Sequence, residues 1–171
     1  AANRLGKTYG AHRREARGQA VSEGLQGHLE KNIEGIAVDQ PFPYMAVWSV
    51  DGSQAHEVRE LLPEGGVLFF FDPGCGSCIK AVQVLHDVMN ELGAKAKPAL
   101  IVTGPNPEPL IKKLEEGGRK LPLYVDTEET LRVEHKVLVT RAFFELDSVG
   151  VVKRFGALGL DSGRYVDVLT K

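Results

Sequence analysis

Cysteine is scarce in this chain: 171 residues contain two, at positions 75 and 78. A disulfide-stapled scaffold needs more cysteines, spread more widely through a smaller chain, so this pair serves another purpose than holding the fold together. A structural zinc site needs four ligands, yet there is no second cysteine pair, and His56, His86 and His135 show no ligand spacing to one another. No metal is therefore expected. No run of eighteen or more apolar residues occurs, so the sequence as given holds no bilayer-spanning helix. Charge of one sign is also lacking, with 21 basic side chains against 23 acidic ones, and nothing global draws the chain to nucleic acid or anionic lipid. Neither internal repeats nor low-complexity segments are visible.

What remains is a chain with 43% hydrophobic residues, enough to bury one sizeable core. Basic residues crowd its start: Arg4, Lys7, Arg13, Arg14 and Arg17 stand against Glu15 alone in the first twenty positions. Leu5, Tyr9, Ala16, Ala20, Leu25 and Leu29 recur at loosely helical spacing, but glycines interrupt them, so residues 1–35 read as a basic arm or marginal helix outside the core. Gly6-Lys7-Thr8 matches the end of a phosphate-binding loop, but Ala1 stands where its first glycine belongs and no strand precedes it, which excludes that motif. The chain does not open on methionine, and an anchor or signal upstream of Ala1 is compatible with the sequence.

From Gln40-Pro41-Phe42-Pro43 onward the pattern alternates. A strand is predicted over 44–50, ending at Asp51-Gly52-Ser53, then a short helix over 56–62 stopped by Pro63. The apolar run over 67–71 predicts a strand buried on both faces. Ile79, Val82, Leu85, Met89 and Leu92, spaced by three and four, predict an amphipathic helix closed by Gly93. A strand over 99–103, a helix from the prolines at 105, 107 and 109 to Gly117-Gly118, a strand over 121–125 and a helix over 127–135 follow. The end reads as a hairpin, 142–146 with 150–155, and a helix over 162–169. Together these predict an α/β protein with a central mixed sheet flanked by helices.

The cysteines follow a buried strand and open an amphipathic helix, and that position gives Cys75-Gly76-Ser77-Cys78 its specificity. Unpaired N–H groups and the positive end of the helix dipole favour a thiolate there, lowering a cysteine pKa from about 8.5 to roughly 3.5–7.5. Cys75 is assigned as the attacking thiol. Cys78, one turn deeper, is assigned as the thiol that resolves a mixed disulfide with a partner. Ser77 is a candidate hydrogen-bond donor to the thiolate and Lys80 a candidate source of positive potential. Asp72 reads as a turn residue rather than a base, and His86 as a surface or hydrogen-bonded core histidine.

Residues 36–171 resemble the thioredoxin superfamily, within it the TlpA-like branch, and through that branch the peroxiredoxins. The likeness rests on residues 35–52, on Val67-Leu68-Phe69-Phe70-Phe71 leading to the cysteines, and on Phe143-Phe144-Glu145-Leu146-Asp147-Ser148-Val149-Gly150. It implies a βαβ plus ββα thioredoxin-like fold with an extra N-terminal strand or hairpin. It also implies a thiol-disulfide oxidoreductase acting on protein thiols and disulfides, with no cofactor beyond the cysteine pair, outside the cytoplasm and tethered to the membrane in many relatives.

Three departures qualify that expectation. Gly74 and Ser77 stand where the family carries Trp and Pro. Thr140-Arg141-Ala142 stand where it places a cis-proline, and a cis Thr–Arg bond would cost about 2.5–4 kcal/mol, so a trans bond is expected. Phe69 and Ala81 occupy the positions of its buried carboxylate. Arg141 is expected beside the dithiol, stabilising thiolate through charge, or else in a surface ion pair with an acid such as Glu145. Arg141-Ala142-Phe143-Phe144 also resembles peroxiredoxins, so a thiol peroxidase using Cys75 is a second reading. Asp72, an anion where that family has Thr, argues against it. A third reading is a catalytically weak thioredoxin-like binding module.

Overall fold

The computed structural model describes residues 23–74, 76–104, 106–116 and 122–170. The basic cluster of residues 4–17 and Cys75 lie outside them. Seven strands form one sheet: β1 (Ala46–Ser49), β2 (Ala55–Glu57), β3 (Gly66–Phe71), β4 (Pro98–Thr103), β5 (Leu123–Asp126), β6 (Arg141–Leu146) and β7 (Val152–Ala157). Their order is β2-β1-β5-β4-β3-β6-β7. β3, β4 and β5 run parallel, and the pairs β1–β2, β1–β5, β3–β6 and β6–β7 are antiparallel. The helices are α1 (23–32), α2 (Cys78–Leu92), α3 (Glu108–Glu116), the single turn α4 (Thr130–Val133) and α5 (Ser162–Thr170). None of the helices among the described residues is long and apolar enough to cross a membrane.

β3 shows why the sheet is covered on both sides. Its side chains alternate, so Val67, Phe69 and Phe71 pack with Val82 and Leu85 of α2, Leu110 of α3 and Tyr165 of α5. Leu68 and Phe70 face the opposite way, onto Val47, Phe42, Leu131 and Leu29. A strand with apolar residues on both faces belongs in the middle of a sheet, and β4 and β6 flank it there. Gly66 begins β3 at φ 147°, where a Cβ would lie 2.3 Å from the Lys97 carbonyl, so only glycine fits this entry.

The differences from the predicted pattern have local causes. Residues 56–62 are not a helix: Ala55–Glu57 form β2, and only Val58–Glu60 turn as a 3-10 helix, with the Glu57 carboxylate accepting from the Arg59 N–H. The pairing Val47↔His56 outweighs the helical spacing. The hairpin β1–β2 supplies the extra N-terminal element. The predicted helix over 127–135 shrinks to one turn because Glu129 sits at φ 52° before it and Lys136 at φ 55° after it. β7 starts at Val152 because Gly150, at φ 84°, still belongs to the turn, where the Asp147 carboxylate accepts from the N–H groups of Val149 and Val151.

Residues 23–32 are the larger correction. They form a helix, and Leu29 is completely buried in the same core as Leu68 and Phe144. Leu25 and Ile33, four positions to either side, pack against that core, and the Gln26 side chain accepts the Ala157 N–H at 2.8 Å. This stretch is therefore not an arm outside the core. Truncating a fully buried leucine costs about 2–5 kcal/mol, so Leu29→Ala should lower the urea-unfolding free energy by that order, whereas a detached arm would leave it unchanged.

Candidate functional site

The site lies at the carboxyl ends of the central strands. Register places it: Phe71, the last residue of β3, pairs with Arg141, the first of β6, and one step beyond, the Asp72 N–H donates to the Thr140 carbonyl at 2.8 Å. The segment leaving β3 toward the cysteines therefore runs against Thr140 and Arg141. α2 opens at Cys78 with Ser77 as its N-cap, so the helix mouth falls on the second cysteine. Cys75 lies outside the described residues.

Cys78 is fully buried. Its sulfur donates to the Asp72 carbonyl at 2.9 Å and lies 4.0 Å from the Thr140 carbonyl. Arg141 crosses from β6 to meet it. Its Nε donates to the Leu158 carbonyl at 3.2 Å, and its Nη1 lies 2.7 Å from Ser77 Oγ and 3.8 Å from Cys78 Sγ. A guanidinium buried to 7% exposure thus faces the start of α2, and Ser77 Oγ accepts a hydrogen bond from it. The surface-pair alternative for Arg141 fails: Glu145 holds Arg154 at 2.5 Å instead. Of the predicted site residues, the fold brings Ser77, Cys78, Thr140 and Arg141 together. Lys80 is exposed. No cis peptide bond occurs among the described residues, so Thr140–Arg141 is trans, as its sequence demands.

Phe69 and Ala81, at the positions where the resemblance implies a buried carboxylate, are both fully buried. Among the described residues the buried carboxylate is Asp126, the last residue of β5. It accepts from the N–H groups of Thr130 and Leu131 and so caps α4. Burial holds its carboxyl above the ordinary aspartate range, opposed by those hydrogen bonds.

Two residues that the sequence reading left unassigned, Tyr165 and Arg132, complete the surroundings. Tyr165, on α5, is fully buried, stacks on Phe69, and donates to the Gly159 carbonyl at 3.0 Å, next to the carbonyl that holds Arg141. Burial drives its hydroxyl far above the ordinary tyrosine range, with the positive charge of Arg141 pulling partly back, so it remains a donor. Its place as the one polar group on an apolar helix face gave no signal of this contact. Arg132, on α4, pairs with the carboxylate of Asp72. Asp72 is also the turn residue expected, its Oδ1 accepting the Gly74 N–H at 2.8 Å. His86 departs from expectation: it is buried, and neither ring nitrogen has a hydrogen-bond partner among the described residues.

No protein-family model matches the chain, and no curated protein matches it. Solved structures do. A thiol:disulfide interchange protein from a Bacteroides species superposes with a TM-score of 0.60 at 15% identity, over 81% of this chain and 93% of that one. A thiol:disulfide interchange protein of the thioredoxin family from Chlorobium tepidum gives 0.58 at 16% identity, over 79% and 99%. A secreted Mycobacterium tuberculosis disulfide oxidoreductase homologous to Escherichia coli DsbE gives 0.54 at 18% identity, over 72% and 95%. The chain thus has a thioredoxin-like fold of the kind these interchange proteins share.

The raised carboxyl of Asp126 gives a pH dependence of defined sign. Between the ordinary aspartate value and the higher folded one, the native state binds more protons than the unfolded state, so stability falls as pH rises through that window. Urea titrations at a series of pH values should show this fall, and Asp126→Asn should flatten it.

Proposed function

We propose that this protein is a thiol-disulfide oxidoreductase that exchanges disulfides with protein partners through Cys75 and Cys78. The observation that carries the reading is a fully buried Cys78 at the first position of α2, its sulfur 3.8 Å from a buried guanidinium, on a thioredoxin-like fold. The helix terminus and Arg141 both favour negative charge on sulfur. Cys78, sealed from solvent, suits the resolving role, and the preceding Cys75 the attacking one.

In the reducing direction the Cys75 thiolate attacks one sulfur of a partner disulfide, forming a mixed disulfide and releasing the partner's other sulfur as a thiolate that takes up a proton. Cys78 then gives up its proton and attacks the Cys75 sulfur. That breaks the mixed disulfide, releases the second partner thiolate for protonation, and leaves a Cys75–Cys78 disulfide. Two electrons have passed to the partner, whose two thiolates take up two protons, balancing the one Cys78 releases and the one Cys75 gave to solvent on ionising; the oxidising direction is the reverse. We place this activity outside the cytoplasm, as for the secreted structural neighbour.

Cys78→Ser should accumulate a mixed disulfide at Cys75 with a disulfide-bearing substrate, seen as a dithiothreitol-sensitive mass adduct. Cys75→Ser should form none and turn over no substrate. Consumption of peroxide in preference to disulfides by the reduced protein would favour the peroxidase reading instead. Arg141→Met should cut the thiolate population at neutral pH about tenfold, read from the pH profile of alkylation, with Arg141→Lys recovering part of it.

A further inference from the structure

Asp72 is out of place chemically. It is an anion three residues before Cys75, its backbone carbonyl accepts from the Cys78 sulfur, and its side chain is only 13% exposed, so water screens it poorly. Standing alone, such a carboxylate opposes thiolate formation on either cysteine. It does not stand alone. Arg132 reaches it from α4 with its Nη2 on Asp72 Oδ2, while Arg132 Nη1 lies 3.9 Å from Glu129. α4 is held for this purpose by the Asp126 carboxylate, which caps its first two N–H groups. Asp72 Oδ1 is occupied separately by the Gly74 N–H, so the turn itself does not need the arginine.

We infer that Arg132 is a positioning residue that tunes the dithiol by cancelling the charge of Asp72. The inference rests on the reading of Cys75 and Cys78 as the reactive pair. It also meets the objection that an anion at position 72 would suppress thiolate. A turn-building role and a charge-cancelling role differ in sign. If the pair only builds the turn, losing either partner perturbs the thiols alike. If it cancels charge, Arg132→Met exposes an anion and Asp72→Asn exposes a cation, and the two variants move in opposite directions.

The experiment is the pH profile of iodoacetamide alkylation, resolved by peptide mapping, for the reduced full chain and for Arg132→Met, Asp72→Asn and the double variant. Arg132→Met should lower the reactive thiolate fraction at neutral pH by about three- to tenfold, and Asp72→Asn should raise it by a similar factor. The double variant should return to within about twofold of the parent, a non-additivity that marks direct coupling. Asn at position 72 keeps an acceptor for the Gly74 N–H, so that variant carries the test even if Arg132→Met does not fold. Shifts of the same sign, or none beyond about twofold, overturn the inference. A redox titration of the parent separates the two readings: if no reversible Cys75–Cys78 couple exists, the oxidoreductase proposal fails, while the opposed alkylation shifts still decide the role of Arg132.

Discussion

The pairing of β3 with β6 is the constraint on which the rest depends. Because Phe71 stands opposite Arg141, the chain leaving β3 must run past the chain entering β6, and the Asp72–Thr140 hydrogen bond closes that contact. A shift of one residue would turn every side chain of β6 to the other face. Phe143 would then leave the α2 side for the α1 side, Phe144 the reverse, and Arg141 would face away from Cys78. The aromatic residues of both strands, by fixing that register, thereby hold a guanidinium against a sulfur.

Much of this architecture was legible because its signals are local. The double-faced run over 67–71, the helix closed by Gly93 and the Asp147 turn are all set by residues within a few positions, and each stands close to where its pattern put it. Failures arose where a distant partner decided. Ala55 and His56 carry no strong strand signal and become a strand because Val47 and Trp48 offer an edge. Leu25 and Leu29 lie among glycines, and what makes their helix part of the core is the face formed by Leu68 and Phe144, about forty and more than a hundred residues downstream.

At the site the same division holds. Cysteine spacing and the order of strand, loop and helix pointed to Ser77 and Cys78, the resemblance pointed to Thr140 and Arg141, and the fold gathers these four. The polar shell around them was not legible. Arg132 arrives from a one-turn helix whose position depends on a carboxylate in β5, and Tyr165 arrives from the last helix. Where the resemblance led one to expect a proline and a buried acid, the chain supplies charge instead. The basic group on β6 and the ion pair on the segment after β3 both stand close to the same helix terminus.

The two rims of the sheet bear on how this protein behaves in a crowd. β2, at one border, is three residues long, and β7, at the other, carries Lys153 and Arg154 and is flanked by the Pro41–Val151 bridge. Short length, cationic side chains and a neighbouring proline all discourage a second polypeptide from adding itself to an open border. Such borders leave contact to the ends of the strands, where Cys78 and Arg141 sit, and offer no flank as a template for fibrils.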